Sequence, residues 1–574
     1  MEQKKIHPLI PEAQEMLRKN QITRGEFLRL STLLGMSIAG AKFLAACAQP
    51  TPTEVAAPTA VPPTAIPATE APTVAPTVAP TATTASSIVR GGVIRAATRV
   101  ERVDHPARFS LVSQSHPWRH VFDYLTYTDP KGITSPYLLE KWEVSDDLMT
   151  WTLYVKQGIK FNNGKELTAD DVVFNFNQWL DKDVGSSIMG SMSYLDKSGV
   201  EKKDNYTVVL HLKDPSIFVP EHLFHYAACV LPKEFGGDIT REPIGTGAFT
   251  MEEYVPGERC RLKRREDYWR MGEDGKPLPY LDEIVMVQLG EDRTPDLAAL
   301  QSGQVDTIIE PTVAIWEGVK DDPRYEVIST PTAATRVLRV RVDQEPWTKN
   351  EVRLALKHCH NREKILALAL QGQGTIGNDS HVAPAQPEYV DIPPYPFDPA
   401  KAKELLAQAG YPDGVTVELV VASDWPESMA YAQALKEDAA AGGFTINLKP
   451  MPASQYWDGW TDWNMGITWW SHRTLAPMLL PLAYISDDTG KPVPWNETRW
   501  VDEEFNALVK ESMKTLDLDK RREIIGKCEQ IQKERGSICT PFFMNVWKIY
   551  DKKFHGIVPS PEEFAIFHET WKEA

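Results

Sequence analysis

Apolar and polar positions along the chain follow two periods that predict both strands and helices. Residues 150–155 alternate between apolar and polar side chains, which predicts a half-buried strand. Downstream, Val172, Val173, Phe176 and Leu180 recur at helical spacing. Thr168 stands before this stretch and predicts the N-cap of a helix. Asp170 and Asp171 then fall in the first turn, where the helix dipole favours negative charge.

Further strands and helix ends are predicted by local signals. Residues 90–97 predict a short strand after a glycine pair, and residues 249–262 predict a hairpin that turns at Val255-Pro256-Gly257-Glu258. Thr348 and Glu351 predict a capping box for a helix. Asp398 predicts a second cap, with Pro399 at the first helical position and Gly410 at the end.

The pattern between residues 416 and 448 predicts a parallel pair of strands. An apolar strand over 416–422 is followed by a helix over 427–441 and a strand over 445–448. A helix between two strands indicates a crossover connection, and parallel strands are covered by helices. Together with the predicted hairpin, this unit indicates an α/β protein of at least two lobes.

The N-terminal segment predicts export and lipidation. Basic residues precede an apolar run over 30–46, which is shorter than the roughly 20 residues of a spanning helix. Leu44-Ala45-Ala46-Cys47 resembles the lipobox of bacterial lipoproteins, in which the cysteine carries diacylglycerol. We therefore expect a signal peptide over 1–46, with lipidation at Cys47. An uncleaved amphipathic helix is the alternative, and the segment leaves Tat or Sec export open.

A proline-rich tract over 47–87 predicts a tether rather than a packed element. Nine prolines lie between Pro50 and Pro80, among Thr, Ala and Val. Because proline lacks an amide donor and has a fixed φ, the tract favours an extended spacer. A lipid at Cys47 followed by this spacer would hold the remaining chain at the outer face of the cell membrane.

The charge and the cysteine spacing argue against nucleic-acid binding and against a disulfide- or zinc-based scaffold. The net charge of −17 argues against nucleic acid as a partner. Five cysteines follow Cys47 without C-x-x-C spacing, so neither a disulfide framework nor a zinc knuckle is predicted, and at most two bridges are possible. His358 and His360 would point apart on a helix. No catalytic motif, metal site or cofactor is predicted.

Several stretches of the chain carry a family resemblance. They are Pro136–Glu143, Gly158–Gly164, Leu167–Val172, Pro243–Phe249, Asp267–Trp269, Leu300–Asp306, Lys403–Gly414 and His555–Ser560. In this order they resemble the extracellular solute-binding proteins of the oligopeptide, dipeptide and nickel class, family 5, which are the ligand-capturing subunits of ABC importers. The resemblance covers most of the chain from about residue 90.

The resemblance implies a fold and a domain arrangement. The fold would be the two-lobed periplasmic-binding-protein type II fold in its large, three-domain (cluster C) form, with mixed sheets, covering helices and a hinge. Lobe I would combine residues 88–132, 243–324 and 545–574. An inserted domain would span 133–242, and lobe II would span 325–544.

The implied function is capture without chemistry. A monomer would bind a small solute between its lobes and deliver it to a membrane permease, with separate ATPase subunits supplying energy. The solute would be peptide-like, opine-like or sugar-derived, with an anionic solute among the options. Two rivals stay open: a surface-anchored hydrolase of peptides or glycosides, and a sensory receptor for a solute.

Candidate ligand contacts cluster in a tryptophan-rich segment. Seven tryptophans lie between residues 457 and 500, and Trp469 and Trp470 are followed by Arg473. In peptide-binding relatives a similar segment supplies an aspartate for the peptide amine; an arginine at this place would favour a carboxylate or phosphate. The alternatives are that the tryptophans only pack and that Arg473 is exposed or forms a structural ion pair.

Two further stretches are candidates on the basis of the resemblance. Asn378 and Asp379 lie in a loop similar to one in some family members, and they can offer polar contacts. His116 and Trp118 lie where the first lobe of the family often faces its ligand. An ordinary turn is the alternative for the first stretch, and packing is the alternative for the second.

Overall fold

The computed structural model describes residues 88–290, 293–487 and 489–573, which belong to a single compact unit. The predicted signal peptide, the lipidation of Cys47 and the spacer all fall outside the described residues. Within those residues, none of the helices combines the length and the apolar character needed to cross a bilayer.

Strands and short to medium helices make up the described chain. The strands are β1 Val93–Ala97, β2 Thr126–Thr128, β3 Thr134–Pro136, β4 Leu139–Val144, β5 Thr150–Val155, β6 Val200–Asp204, β7 Thr207–His211, β8 Phe249–Val255, β9 Arg259–Arg264, β10 Glu283–Val287, β11 Thr307–Ile308, β12 Tyr325–Val340, β13 Gly374–Ile376, β14 Val415–Ala422, β15 Phe444–Met451, β16 Met465–Trp470, β17 Ile538–Cys539, β18 Phe542–Asp551, β19 Phe554–His555 and β20 Trp571–Lys572. The helices are α1 Val112–Ser115, α2 Ala169–Trp179, α3 Val219–His222, α4 Asp296–Gln301, α5 Val313–Val319, α6 Asn350–His358, α7 Arg362–Leu370, α8 Pro399–Gln408, α9 Pro426–Ala441, α10 Ala453–Asp458, α11 Leu480–Ala483, α12 Glu503–Ser512 and α13 Leu518–Arg535.

One large mixed sheet runs through the described chain. Its strand order is β15-β14-β16-β12-β18-β11-β1-β10-β9-β8, with β13 beside β18 and β17 beside β12. The long antiparallel strands β12 and β18 stand in the middle and join the two halves. Their register shifts between Pro331 and Thr335, where β12 carries extra residues against β18. Beyond this shift β12 pairs with β16, so the irregularity marks the passage from one half to the other.

A separate antiparallel sheet, β4-β5-β7-β6, carries the first sequence-predicted elements. The predicted strand over 150–155 is confirmed as β5. The helix after Thr168 is confirmed as α2, and the Thr168 backbone N–H donates to the Asp171 carboxylate at 2.8 Å. The cap therefore forms as the residue pattern predicted.

The predicted hairpin and the crossover unit are also confirmed. Strands β8 and β9 pair antiparallel around Gly257, whose φ of 83° requires the left-handed conformation that glycine adopts easily. Strands β14 and β15 pair in parallel, with α9 between them in sequence. The strand over 90–97 is confirmed as β1, and the Asp398 cap is confirmed on α8.

The predicted capping box at Thr348 is wrong. Helix α6 begins at Asn350 with Lys349 as its N-cap residue, and that residue makes no side-chain capping bond. The Thr348 hydroxyl instead donates to the Glu345 carboxylate at 2.6 Å, and Thr348 lies one residue before the N-cap position.

The buried apolar side chains form separate clusters on the two halves. The largest cluster draws on residues between 94 and 309 and between 550 and 571, and it includes the packed side of the β4-β5-β7-β6 sheet. Two others draw on residues between 337 and 542, one on each face of β12 and β16. The lobe and domain boundaries given above stay a prediction.

Candidate functional site at the carboxyl edge of the sheet

Three strands of the main sheet end at one edge. Strands β14 and β15 run parallel in register, and β16 runs parallel to β14. The segments that leave them are 423–425, 452–458 and 471–475. In open α/β sheets, ligands bind in the crevice outside the carboxyl ends of the strands. This edge of the sheet is therefore the candidate binding site.

A chain of tryptophan rings covers the edge. Ring centroids lie 5.6 Å apart for Trp425 and Trp457 and 5.4 Å apart for Trp457 and Trp460. The chain continues from Trp460 to Trp495 at 6.2 Å and from Trp495 to Trp470 at 6.1 Å. Trp457 is 37% exposed and Trp495 is 49% exposed, whereas Trp470 is buried. Indole surface therefore stays open to solvent at this edge.

A buried ion pair fixes the backbone under these rings. The Arg339 guanidinium donates to the Glu497 carboxylate at 3.0 Å and to the carbonyls of Trp460 and Trp463, and both charged side chains are excluded from solvent. Glu497 also accepts a hydrogen bond from the Trp470 indole at 3.2 Å. Burial raises the pKa of Glu497, and the adjacent guanidinium opposes that rise. The pair holds the rings in place from inside the lobe.

Arg336 and Glu427 form a second pair beside the exposed indole of Trp469. Arg336 and Trp469 are cross-strand neighbours on β12 and β16, and Glu427 lies in the first turn of α9. Arg336 Nε donates to Glu427 Oε1 at 2.8 Å, and Nη2 donates to the same oxygen. The guanidinium carbon lies 5.4 Å from the Trp425 ring centroid and 5.5 Å from that of Trp469. Burial lowers the pKa of Arg336.

Arg473 follows β16 and has no acidic partner. Its guanidinium donates to Ser471 Oγ at 2.8 Å and to the His472 carbonyl at 2.9 Å. No carboxylate in the described part of the chain forms an ion pair with it. Burial lowers the pKa of Arg473, and the Tyr226 hydroxyl acts in the opposite direction. A partly buried cation is thus left without an ion-pair partner among the described residues.

The segment around Arg473 touches both halves of the molecule. Thr474 donates to Glu562 at 3.2 Å, and the His472 ring lies 3.6 Å from the same carboxylate. His472 Nδ1 also accepts the backbone N–H of Ala333 on β12 at 2.9 Å. Arg473 therefore lies where the half that carries β16 meets the half that carries the C-terminal segment.

A second guanidinium that forms no ion pair among the described residues lies on the opposite half. Arg119 Nε and Nη2 are buried and find no hydrogen-bond partner among the described residues. The guanidinium carbon lies 3.5 Å from the Phe564 ring centroid and 4.6 Å from that of Tyr124. Burial lowers the pKa of His225 to about 3, with further lowering from nearby positive charge on Arg473 and Arg119. Arg473 and Arg119 therefore both act on His225 as positive charges.

The sequence-predicted residues fall in three places. Trp469, Trp470 and Arg473 are brought together at the carboxyl edge, as described. Asn378 and Asp379 are buried behind it. Asp379 pairs with Arg362 at 2.5 Å, and the Asn378 amide donates to Glu529 at 3.1 Å. These partners account for both side chains without a ligand, and their predicted ligand contacts stay predictions.

His116 and Trp118 lie in the other half and are fully buried. His116 Nε2 lies 3.1 Å from Glu310 Oε1, and burial lowers the pKa of His116. Trp118 packs against Tyr254 with ring centroids 4.9 Å apart. The sequence analysis missed Arg119, although it directly follows Trp118. It also missed the Arg336–Glu427 pair, whose members are far apart in the chain.

Comparison with known proteins establishes the family of this chain. The model of the bacterial extracellular solute-binding proteins, family 5 (middle region), matches residues 134–490. The chain belongs to this family. The family resemblance in the sequence is thereby confirmed, and it applies to more than half of the chain.

Relatives of this solute-binding protein have different named ligands. It is 28% identical over 493 residues to di/tripeptide-binding protein 1 of Pseudomonas aeruginosa, covering 78% of this chain and 88% of that one. It is also 28% identical over 440 residues to heme-binding protein A of Haemophilus influenzae, covering 70% and 78%. The sequence comparison therefore establishes the family but does not select one ligand.

Solved structures confirm the type II fold predicted for the solute-binding protein. HbpA2 of Haemophilus parasuis aligns with a TM-score of 0.74 at 24% identity, covering 84% of this chain and all of that one. DppA of Helicobacter pylori, solved with the peptide STSA, aligns with a TM-score of 0.63 at 21% identity, covering 85% and 99%. At these identities the likeness concerns the fold.

Proposed function

We propose that this protein is the substrate-binding subunit of an ABC importer and that it captures a small anionic solute at the carboxyl edge of its main sheet. Solute contacts to both lobes would favour the closed arrangement, and the register shift in β12 would act as the hinge. The loaded protein would then deliver the solute to a membrane permease, with ATP hydrolysed by separate subunits. The role is binding, without chemistry on the solute.

Arg473 is the observation that supports an anionic solute. Arg473 is a partly buried guanidinium without a counter-charge, and a carboxylate or phosphate that reached it would form charge-assisted hydrogen bonds with it. The planar guanidinium suits bidentate contact with either group. The positive environment created by Arg119 and Arg473 around His225 supports the same sign of charge. Peptide-like, opine-like and sugar-derived acids all meet this requirement.

The remaining predicted features complete the proposal. Residues 1–46 would be removed as a signal peptide, and a lipid on Cys47 with the proline-rich spacer would hold a monomer at the outer face of the cell membrane. Trp469, Trp470 and Arg473 would contact the solute from one lobe, with Asn378 and Asp379 as further predicted contacts of that lobe. His116 and Trp118 would be the predicted contacts from the opposing lobe.

Native mass spectrometry of the full-length protein, purified in mild detergent from cells grown in rich medium, tests the proposal. We expect a co-purified small molecule that is retained by Arg241→Ala and lost from Arg473→Ala. Arg241 is the matched control because its side chain is 85% exposed and pairs only with Asp238 at the surface. A protein that carries no solute and shows no thermal shift with peptides, opines or sugar acids would contradict the proposal; hydrolysis of those compounds would then be assayed.

A further inference from the structure

The exposed indole of Trp469 forms one side of a small polar corner. We define the Trp469 corner as Trp425, Trp469, Arg336 and Glu427. Trp469 is 45% exposed although it lies on a central strand of the main sheet. An exposed indole on such a strand leaves apolar area in water, which is unfavourable unless something covers it.

The Arg336–Glu427 ion pair in this corner leaves one carboxylate oxygen and one guanidinium nitrogen without a hydrogen bond. Both bonds from Arg336 reach Glu427 Oε1, and no hydrogen bond among the described residues reaches Glu427 Oε2. Arg336 is 7% exposed, and its Nη1 atom is buried without a hydrogen-bond partner in the same part of the chain. An unsatisfied buried donor costs about 1 to 3 kcal/mol. The corner therefore offers one unused donor and one unused acceptor beside an aromatic surface.

A sugar ring meets all three features at once. A pyranose has an apolar face of C–H groups that packs on an indole, and a rim of hydroxyls, each of which both donates and accepts. A rim hydroxyl can donate to Glu427 Oε2, and a turn of the guanidinium would bring Arg336 Nη1, which is now buried, within reach of a second hydroxyl. A plain aromatic ring would cover the indole but leave both polar atoms unused.

We infer that the Trp469 corner is a sugar-binding subsite and that the solute joins a pyranose ring to an acidic group. This inference rests on the proposed function, because Arg473 supplies the anion contact. Arg473 lies four positions after Trp469, so their Cα atoms lie at most about 14 Å apart. A compound of disaccharide size is long enough to span that distance.

Isothermal titration of the full-length protein in detergent tests the inference with defined probes. The sugar acids are cellobionate and maltobionate, which join a pyranose to a carboxylate-bearing chain. Cellobiose and maltose lack the charge, phenylacetate lacks the hydroxyl rim, and dialanine lacks the ring. We expect a sugar acid to bind most tightly of these probes, and Arg473→Ala to weaken the acid without weakening the uncharged sugar.

Substitutions at Trp469 and Glu427 test whether the sugar binds in the Trp469 corner rather than at the other exposed tryptophans of the carboxyl edge. Trp469→Ala should weaken binding of the sugar acid at least 10-fold. The nearly isosteric Glu427→Gln, which retains the fold-stabilising contacts more closely, should weaken it several-fold. The comparison variant is Trp495→Ala, because Trp495 is similarly exposed at the same edge but packs on Trp460 and Trp470. It should weaken binding of the sugar acid much less than Trp469→Ala does.

The outcomes separate this inference from the proposed function. Equal losses in Trp469→Ala and Trp495→Ala, no loss in Trp469→Ala, or equally tight binding of phenylacetate would overturn the sugar subsite. Failure of every sugar, together with an Arg473-dependent co-purified solute, would overturn the subsite and leave the proposed function standing. Absence of any bound solute would overturn both the sugar subsite and the proposed function.

Discussion

At the scale of single residues, buried groups without a counter-charge are the most informative. Glu529 on α13 is fully buried and accepts hydrogen bonds from the Val390 backbone at 2.9 Å and from Asn378. Burial raises the pKa of Glu529 from its usual value near 4.5 to about 8, against the effect of these donors. The folded protein therefore holds this carboxyl in its protonated form at neutral pH.

This shift predicts a pH-dependent effect of Glu529→Gln. A raised folded-state pKa contributes stability that is complete below about 4.5 and is lost as pH rises through about 8. Glutamine cannot ionise, so at pH 5, slightly above the unfolded-state pKa, the variant should differ from the unmodified protein by less than about 1 kcal/mol. At pH 8.5 it should be more stable by on the order of 2 to 4 kcal/mol in urea unfolding.

Glu523→Gln serves as the control because Glu523 is exposed on the same helix. It should change the free energy of unfolding little at either pH. An equal stability difference for Glu529→Gln at pH 5 and pH 8.5 would show that ionisation of this carboxyl is not the cause.

At the scale of secondary structure elements, the two predicted helix caps make a matched pair. The Asp398 carboxylate accepts the backbone N–H of Lys401 at 2.9 Å and so satisfies a donor at the start of α8. Thr348 makes no such bond, because its hydroxyl is directed at Glu345. The sequence thus predicted a capping residue at both positions, and only Asp398 caps its helix.

Alanine substitutions at these two positions should differ in their effect. Asp398→Ala should lower the free energy of unfolding by about 1 kcal/mol, the usual cost of losing an N-cap side chain. Thr348→Ala should lower it by less than about 0.5 kcal/mol, since only a surface hydrogen bond is lost. Urea unfolding at pH 7 measures both, and a larger loss for Thr348→Ala would contradict the assignment.

Elements with a strong local period could be predicted from the sequence, whereas the site could be predicted only in part. Strand β5, helix α2 and the β14–α9–β15 unit follow from spacing within a few residues. Trp469, Trp470 and Arg473 were also found because they lie together in the chain. The Arg336–Glu427 pair was not, because sheet register and the start of α9 bring it together across a long sequence separation.

At the scale of the whole molecule, the described cysteines take no part in cross-linking. Cys229, Cys260, Cys359, Cys528 and Cys539 are all buried and unpaired. Burial raises the pKa of the Cys229 thiol to about 11 and that of Cys359 to about 12, so neither forms a reactive thiolate at neutral pH. Packing, without disulfides, holds this part of the chain together.

Reducing agent should therefore leave the protein unchanged. Dithiothreitol is expected to shift the Tm by less than about 1 °C, since no bond among these cysteines is available to reduce. Mass spectrometry after iodoacetamide treatment should find none of the five alkylated in the native protein and all five alkylated in urea. Alkylation of any of them under native conditions would show that its surroundings open on the time scale of labelling.

The location of the candidate binding residues outside the strand ends has a consequence for how this protein can change over evolutionary time. Trp425, Trp457 and Arg473 all stand in segments that leave β14, β15 and β16, while the hydrogen-bonded ladder lies behind them. Substitutions in such connecting segments alter what is recognised at little cost to the framework. Substitutions confined to these three connecting segments can therefore change which solute a protein of this fold binds.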